Sequence, residues 1–139
     1  MAEMRRTGSR EVTVDAPHQF AQFSGDDTAI HLDSEAAAAS VFGKLTLQGT
    51  ATFALASGLM VESGVFEGGV FVGASFKLLA PAVVGDVITV EVGQVSERIT
   101  SSGERAVVGY QFAVINQDDV IIMEGVWTNL KGLRTRLIP

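Results

Sequence analysis

Hydrophobic and polar positions divide the chain into two parts with different periods. Up to about residue 61, apolar side chains recur at helical spacing or in short clusters; from Gly68 onward they alternate with polar ones. Residues 1–9 are polar and read as a loose start, and Arg10 to Val14 alternates well enough for a short strand. Asp15-Ala16-Pro17 reads as a helix start, because Asp15 can cap free amides and a proline in the first turn gives up no needed hydrogen bond. Phe20 and Phe23, three apart, are expected to share one face of that helix, which stops at Ser24-Gly25. A polar turn follows over Asp26 to Leu32, and Asp33 or Ser34 caps a second short helix over 35–41, made almost wholly of alanine.

Gly49 opens a longer helix. Residues 50–61 carry no charge, so the pattern predicts a helix buried on nearly all sides. Its small residues, Ala51, Ala54, Ala56, Ser57 and Gly58, let another element approach closely. Residues 69–80, 86–98, 104–116 and 119–130 are rich in Val, Ile, Phe and Thr and are separated by turn signals. In the second of these runs Ile88, Val90 and Val92 face one way while Thr89 and Glu91 face the other. Long antiparallel strands joined by hairpins are the expected result. The whole chain, 1–139, is therefore predicted to be one α+β domain, a curved antiparallel sheet wrapped around the buried helix.

Composition narrows the partners. With 47% apolar and 19% charged residues the chain has material for a core, which argues against disorder. A net charge of −6 argues against nucleic acid. The basic residues gather at the two ends, Arg5, Arg6 and Arg10 against Lys131, Arg134 and Arg136; they form either a local cationic patch or two solvated tails. The chain has no cysteine, which excludes disulfides, thiolate nucleophiles and cysteine metal sites. No secretory signal or membrane-length apolar run is found, so a cytoplasmic location without membrane association is expected.

Candidate chemistry is sparse. Of the 2 histidines, His18 follows Pro17 at a helix start and reads as a surface residue. His31 lies on the same polar turn as Asp26, five positions on; a carboxylate and an imidazole so placed can hold a water and move protons near neutral pH. Asp26, Asp27, His31 and Asp33 match no metal loop, so no metal is expected. Ser40, Ser57 and Ser63 all lack the Gly-x-Ser-x-Gly setting of a hydrolase nucleophile. Gly68-Gly69 reads as a strand start, not a phosphate loop.

Ser24-Gly25-Asp26, His31 and Asp33, followed by Gly49 and later by Pro81 and Gly85-Asp86, form a pattern. Over roughly residues 12–130 it resembles the MaoC-like, (R)-specific enoyl-CoA hydratase family. That family carries Ser-Gly-Asp-x-Asn-Pro-x-His-x-Asp and, further on, a His-Gly pair that opens the central helix. Here Thr28-Ala29 stands for Asn-Pro and Gln48 for the histidine of His-Gly. The resemblance implies a hot-dog fold. It implies hydration of 2-enoyl thioesters, or dehydration of 3-hydroxyacyl thioesters, in fatty-acid or polyketide metabolism. Coenzyme A or an acyl carrier protein would form part of the substrate, with no other cofactor. It places Asp26 and His31 as the catalytic pair and the Gly49 amide as the donor to the thioester oxygen. Ser57 would lie close enough to bond Asp26, and Thr28 would bond within the turn. Gln48 would keep a donor and an acceptor without titrating, so Gln48→His is expected to be tolerated. Leu55, Leu59, Met60, Phe66 and Phe71 would wall the acyl chain, and a homodimer or higher homo-oligomer is implied. Two rivals stand beside this reading. A hot-dog thioesterase carries its carboxylate on the central helix, where only Glu62 at the end is available. A diverged, non-catalytic acyl-thioester binder would account for Thr28-Ala29 and Gln48.

Overall fold

The computed structural model describes residues 3–132. Its elements run β1 (Arg5–Arg6), β2 (Arg10–Glu11), α1 (Ala16–Ser24), α2 (Ala29–Leu32), α3 (Ser34–Ala39), α4 (Gly49–Glu62), β3 (Val70–Leu78), β4 (Val87–Ile99), β5 (Arg105–Ile115) and β6 (Ile121–Gly132). The strands form one antiparallel sheet in the order β1-β4-β5-β6-β3, with β2 also pairing β4. Hairpins join β4 to β5 and β5 to β6. The chain crosses over to place β3 on the far edge, so the order along the sheet differs from the order along the chain.

Alternation decides which face is covered. Val90 and Val92 of β4 join Ala106, Val108, Tyr110, Phe112 and Val114 of β5 and Trp127 of β6 in one buried cluster with Ala51, Ala56, Leu59 and Met60 of α4. The Tyr110 hydroxyl donates to the Phe66 carbonyl at 3.4 Å. Burial, with the Glu67 and Glu97 charges, pushes its pKa up, so it stays a neutral phenol. A sheet wrapped on a central helix is the architecture that the alternating second half of the sequence predicts.

The structure corrects several local expectations. Helix α4 is buried on one side only: Thr50, Ala54 and Val61 are exposed, because the sheet covers one face and none of the described residues covers the other. Part of the supposedly loose start is paired: Arg5–Arg6 form β1, and Thr7 exchanges hydrogen bonds with Val90 on both its amide and its hydroxyl. Asp15 makes no side-chain cap; its backbone is already helical, which turns the carboxylate away from the free amides. Phe20 packs on the core while Phe23 is 90% exposed, so the two rings do not share a buried face. The basic residues of the start are drawn into ion pairs, Arg6 with Glu91 and Arg10 with Glu62, and Lys131 approaches Glu67 at 3.9 Å. Arg134 and Arg136 lie outside the described residues. Among the described residues, no helix is long and apolar enough to cross a membrane.

Candidate active site

The turn that carries Asp26 is shaped by its own sequence. Gly25 ends α1 with φ of 84°, a left-handed conformation that glycine takes without a Cβ penalty. Ser24 accepts from the Asp26 amide at 3.0 Å and donates to Phe20 O. Asp26 Oδ1 in turn accepts from Thr28 Oγ1 at 3.0 Å and from its amide at 3.4 Å. Thr28 is the N-cap of α2 and Ala29 its first residue. The departure from Asn-Pro is thus conservative in its geometry, since a first helical position is where a proline is tolerated. Asp33 caps α3 by accepting from the Glu35 amide at 2.9 Å, so this acidic residue of the motif is occupied structurally.

His31 sits in the last turn of α2 and leans on the segment before α4. Its Nδ1 lies 2.8 Å from the carbonyl oxygen of Thr46 and 3.2 Å from the Thr46 hydroxyl. A carbonyl can only accept, so Nδ1 carries a proton, and in the neutral tautomer this contact selects, the lone pair lies on Nε2. Thr46 is itself buried and held by a bridge to Val83, with Leu47 donating to Ala82 O at 2.8 Å. Sequence reasoning missed Thr46. Its only signal is a hydroxyl residue two positions before Gln48, and nothing in that spacing says that a carbonyl will face an imidazole.

His31 and Gly49 line one cleft of about 340 Å³. Thr46 and Thr52 add hydroxyls to it. Its apolar lining includes Phe42, Leu78, Leu79 and Pro81. Gly49 is the first residue of α4, where amides have no partner within the helix. Asp26 is half-buried on the same turn but is not among the residues lining the cleft, and no hydrogen bond joins it to His31. Gln48 is fully buried and ties the two parts together: its Nε2 donates to Pro17 O at 2.9 Å and to Asp26 O at 3.2 Å. Lys44 faces solvent, and among the described residues no cation lines the cleft. Among the described residues, no cluster of acidic and histidine side chains could hold a metal ion.

Three expectations about surrounding residues change. Ser57 does not reach Asp26; its hydroxyl donates to Ala54 O at 2.7 Å, one turn back in its own helix. Leu59 and Met60 are buried core under the sheet, and Leu55 packs against that core. Phe66 and Phe71 line a different cavity, of about 390 Å³, with Val61 and Trp127. Phe66 stacks on Trp127 at a ring separation of 4.8 Å, and Phe71 lies tilted against it at 4.3 Å. None of these five residues borders the cleft of His31 and Gly49. Helix α4 turns Leu55, Leu59 and Met60 to the core, Phe66 follows the far end of that helix and Phe71 sits at the start of β3, while Leu78 at the other end of β3 and the residues after it border the cleft. Glu62, the carboxylate a thioesterase would need, is paired to Arg10 at 2.7 Å. Thirteen residues separate it from Gly49, about 20 Å along the helix.

Comparison with known proteins places this geometry. The model of the MaoC like domain family matches residues 2–114. An (R)-specific enoyl-CoA hydratase from Aeromonas caviae is 33% identical over 88 residues, 63% of this chain and 62% of that protein, so the match spans less than two thirds of the relative's length. A MaoC-like dehydratase from Rhodospirillum rubrum superposes with a TM-score of 0.87 at 27% identity, over 97% of this chain and 94% of the other. The HadBC complex of Mycobacterium tuberculosis, a 3R-hydroxyacyl-ACP dehydratase, shares the fold with a TM-score of 0.80 at 21% identity, over 93% of this chain and 95% of that one. This hot-dog chain belongs to the MaoC like domain family.

Proposed function

We propose that the protein hydrates 2-enoyl thioesters or, in reverse, dehydrates 3-hydroxyacyl thioesters. The observation that carries this reading is His31 fixed through Nδ1 on a backbone carbonyl, on one cleft with the free amino end of α4. The thioester carbonyl lies at the Gly49 amide. Water held by Asp26 and His31 Nε2 adds its oxygen to the β-carbon as its proton passes to the pair. The electrons of the double bond move through the α-carbon onto the thioester oxygen, where the amide and the helix dipole meet the charge. The pair then returns a proton to the α-carbon and the carbonyl re-forms. Preorganised acid–base groups and one oxyanion donor are sufficient chemistry for this step. Water attack at the carbonyl carbon, the thioesterase course, is disfavoured by the distance of Glu62 from the cleft.

The chain's exposed apolar surface supports a homodimer. Edge strand β3 leaves Val70, Phe71 and Val72 exposed, a long unpaired edge of the kind that recruits another strand. The uncovered side of α4 and the 90% exposed Phe23 need a cover as well. Sedimentation is expected to give a multiple of 14.7 kDa. Decay of the enoyl-thioester absorbance on adding crotonyl-coenzyme A to the purified protein tests the activity; release of free thiol with no loss of the double bond would establish the thioesterase course instead. An assay with the matching acyl carrier thioester distinguishes the carrier.

A further inference from the structure

Gln48 is fully buried and stands immediately before Gly49. Both groups that its Nε2 meets, Pro17 O and Asp26 O, are backbone carbonyls. That fixes the amide orientation, because reversing it would set Oε1 against two oxygens that cannot donate. Oriented this way, Oε1 is buried and meets no hydrogen-bond partner among the described residues. An unpaired buried acceptor is costly, and a leucine or methionine of similar size would carry no such cost. Packing therefore does not explain the glutamine; its two N–H bonds do. Pro17 opens α1 and Asp26 lies just past its end, so one NH₂ group grips both ends of α1 and fastens the Asp26 turn to the cap of α4.

We infer that Gln48 is a positioning residue that sets the Asp26 carboxylate relative to the Gly49 amide, an inference that rests on the hydratase reading above. It holds Asp26 by the backbone and leaves the carboxylate to Thr28 and the reaction. The demand for two donors at one point also revises the expectation for Gln48→His. A neutral imidazole has one N–H, so one carbonyl would be left unpaired and the substitution costs rate instead of being neutral.

The test uses the full chain carrying Gln48→Leu, or Gln48→His where the leucine variant does not fold. Amide hydrogen exchange is read at Asp26 and Thr28, and kcat and KM for crotonyl-coenzyme A are measured with and without Asp26→Asn. Exchange at those two amides is expected to quicken about tenfold while the amides of β4, β5 and β6 keep their rates. kcat is expected to fall about tenfold or more with KM nearly unchanged. In the Asp26→Asn background the same substitution is expected to cost less than about twofold, because a residue acting through Asp26 has nothing left to position. Unchanged exchange in a folded variant, or an equal loss of rate in both backgrounds, overturns the inference. A wild-type protein inactive on every enoyl thioester overturns the hydratase reading, and the exchange measurement still decides whether Gln48 holds the turn.

Discussion

Replacing His31 by alanine is expected to lower enoyl-thioester hydration by about 100-fold or more, the range that a positioned general acid–base group contributes. The Thr46 carbonyl at 2.8 Å leaves Nε2 as the only base of this ring, aimed away from the protein's own acceptor. Among the described residues, no other titratable side chain lines the cleft to replace it. Asp26→Asn is expected to cost a similar factor by a different route. The amide oxygen of asparagine can still accept from Thr28, so the turn keeps its shape and only the negative charge is lost. Thr46→Val is the control for orientation. It removes the hydroxyl at 3.2 Å but keeps the carbonyl, and the loss is expected to stay below about tenfold. Steady-state rates in both directions check all three. Near-normal turnover in both His31→Ala and Asp26→Asn would remove the pair from the mechanism.

How far the sequence alone reaches differs between the parts of this site. The sheet was legible because burial on one face forces alternation: Ile88, Val90 and Val92 are buried, and residues 87–99 do form a long strand. The opening of α4 was legible from an uncharged run behind a glycine. The one-sided burial of that helix was not, because an exposed Ala54 or Val61 looks the same in sequence as a buried one until the covering element is known. The motif Asp26…His31…Gly49 could be named from its resemblance to a family pattern, yet the walls of the cleft could not. Leu78, Leu79 and Pro81 lie some thirty residues beyond Gly49 and reach it only because the crossover sets β3 on the far edge of the sheet. Leu59, Met60, Phe66 and Phe71 were natural candidates by proximity in sequence to the helix, but helical rotation turns the first two into the core. Gln48 looked like the loss of a histidine; only the positions of two carbonyls show why a group with two donors stands there.

Gly49→Val is expected to reduce turnover about 100-fold or more while leaving the pH optimum where it is. A Cβ built at Gly49 would lie 2.5 Å from Leu78 Cδ1, closer than real side chains approach. The neighbour is the end of a flexible side chain that is 49% exposed, so Leu78 can swing aside and the fold survives. The amide itself does not survive as a site. Leu78 borders the same cleft, and its displaced methyl together with a branched side chain at residue 49 fills the space that the proposed mechanism gives to the thioester oxygen. Losing one oxyanion donor costs ~2.7–4 kcal/mol of barrier, which corresponds to about 10²–10³ in rate. His31 keeps its carbonyl and Asp26 its threonine, so the groups that titrate are untouched and the pH profile holds its shape. Gly49→Ala combined with Leu78→Ala separates crowding from backbone effects. Its single methyl meets no leucine, and activity is expected to return to within about tenfold of the wild type if crowding is the cause. A Gly49→Val protein that is folded and fully active would show that the amino end of α4 plays no part in holding the thioester oxygen, and the cleft would then have to stabilise that charge without it.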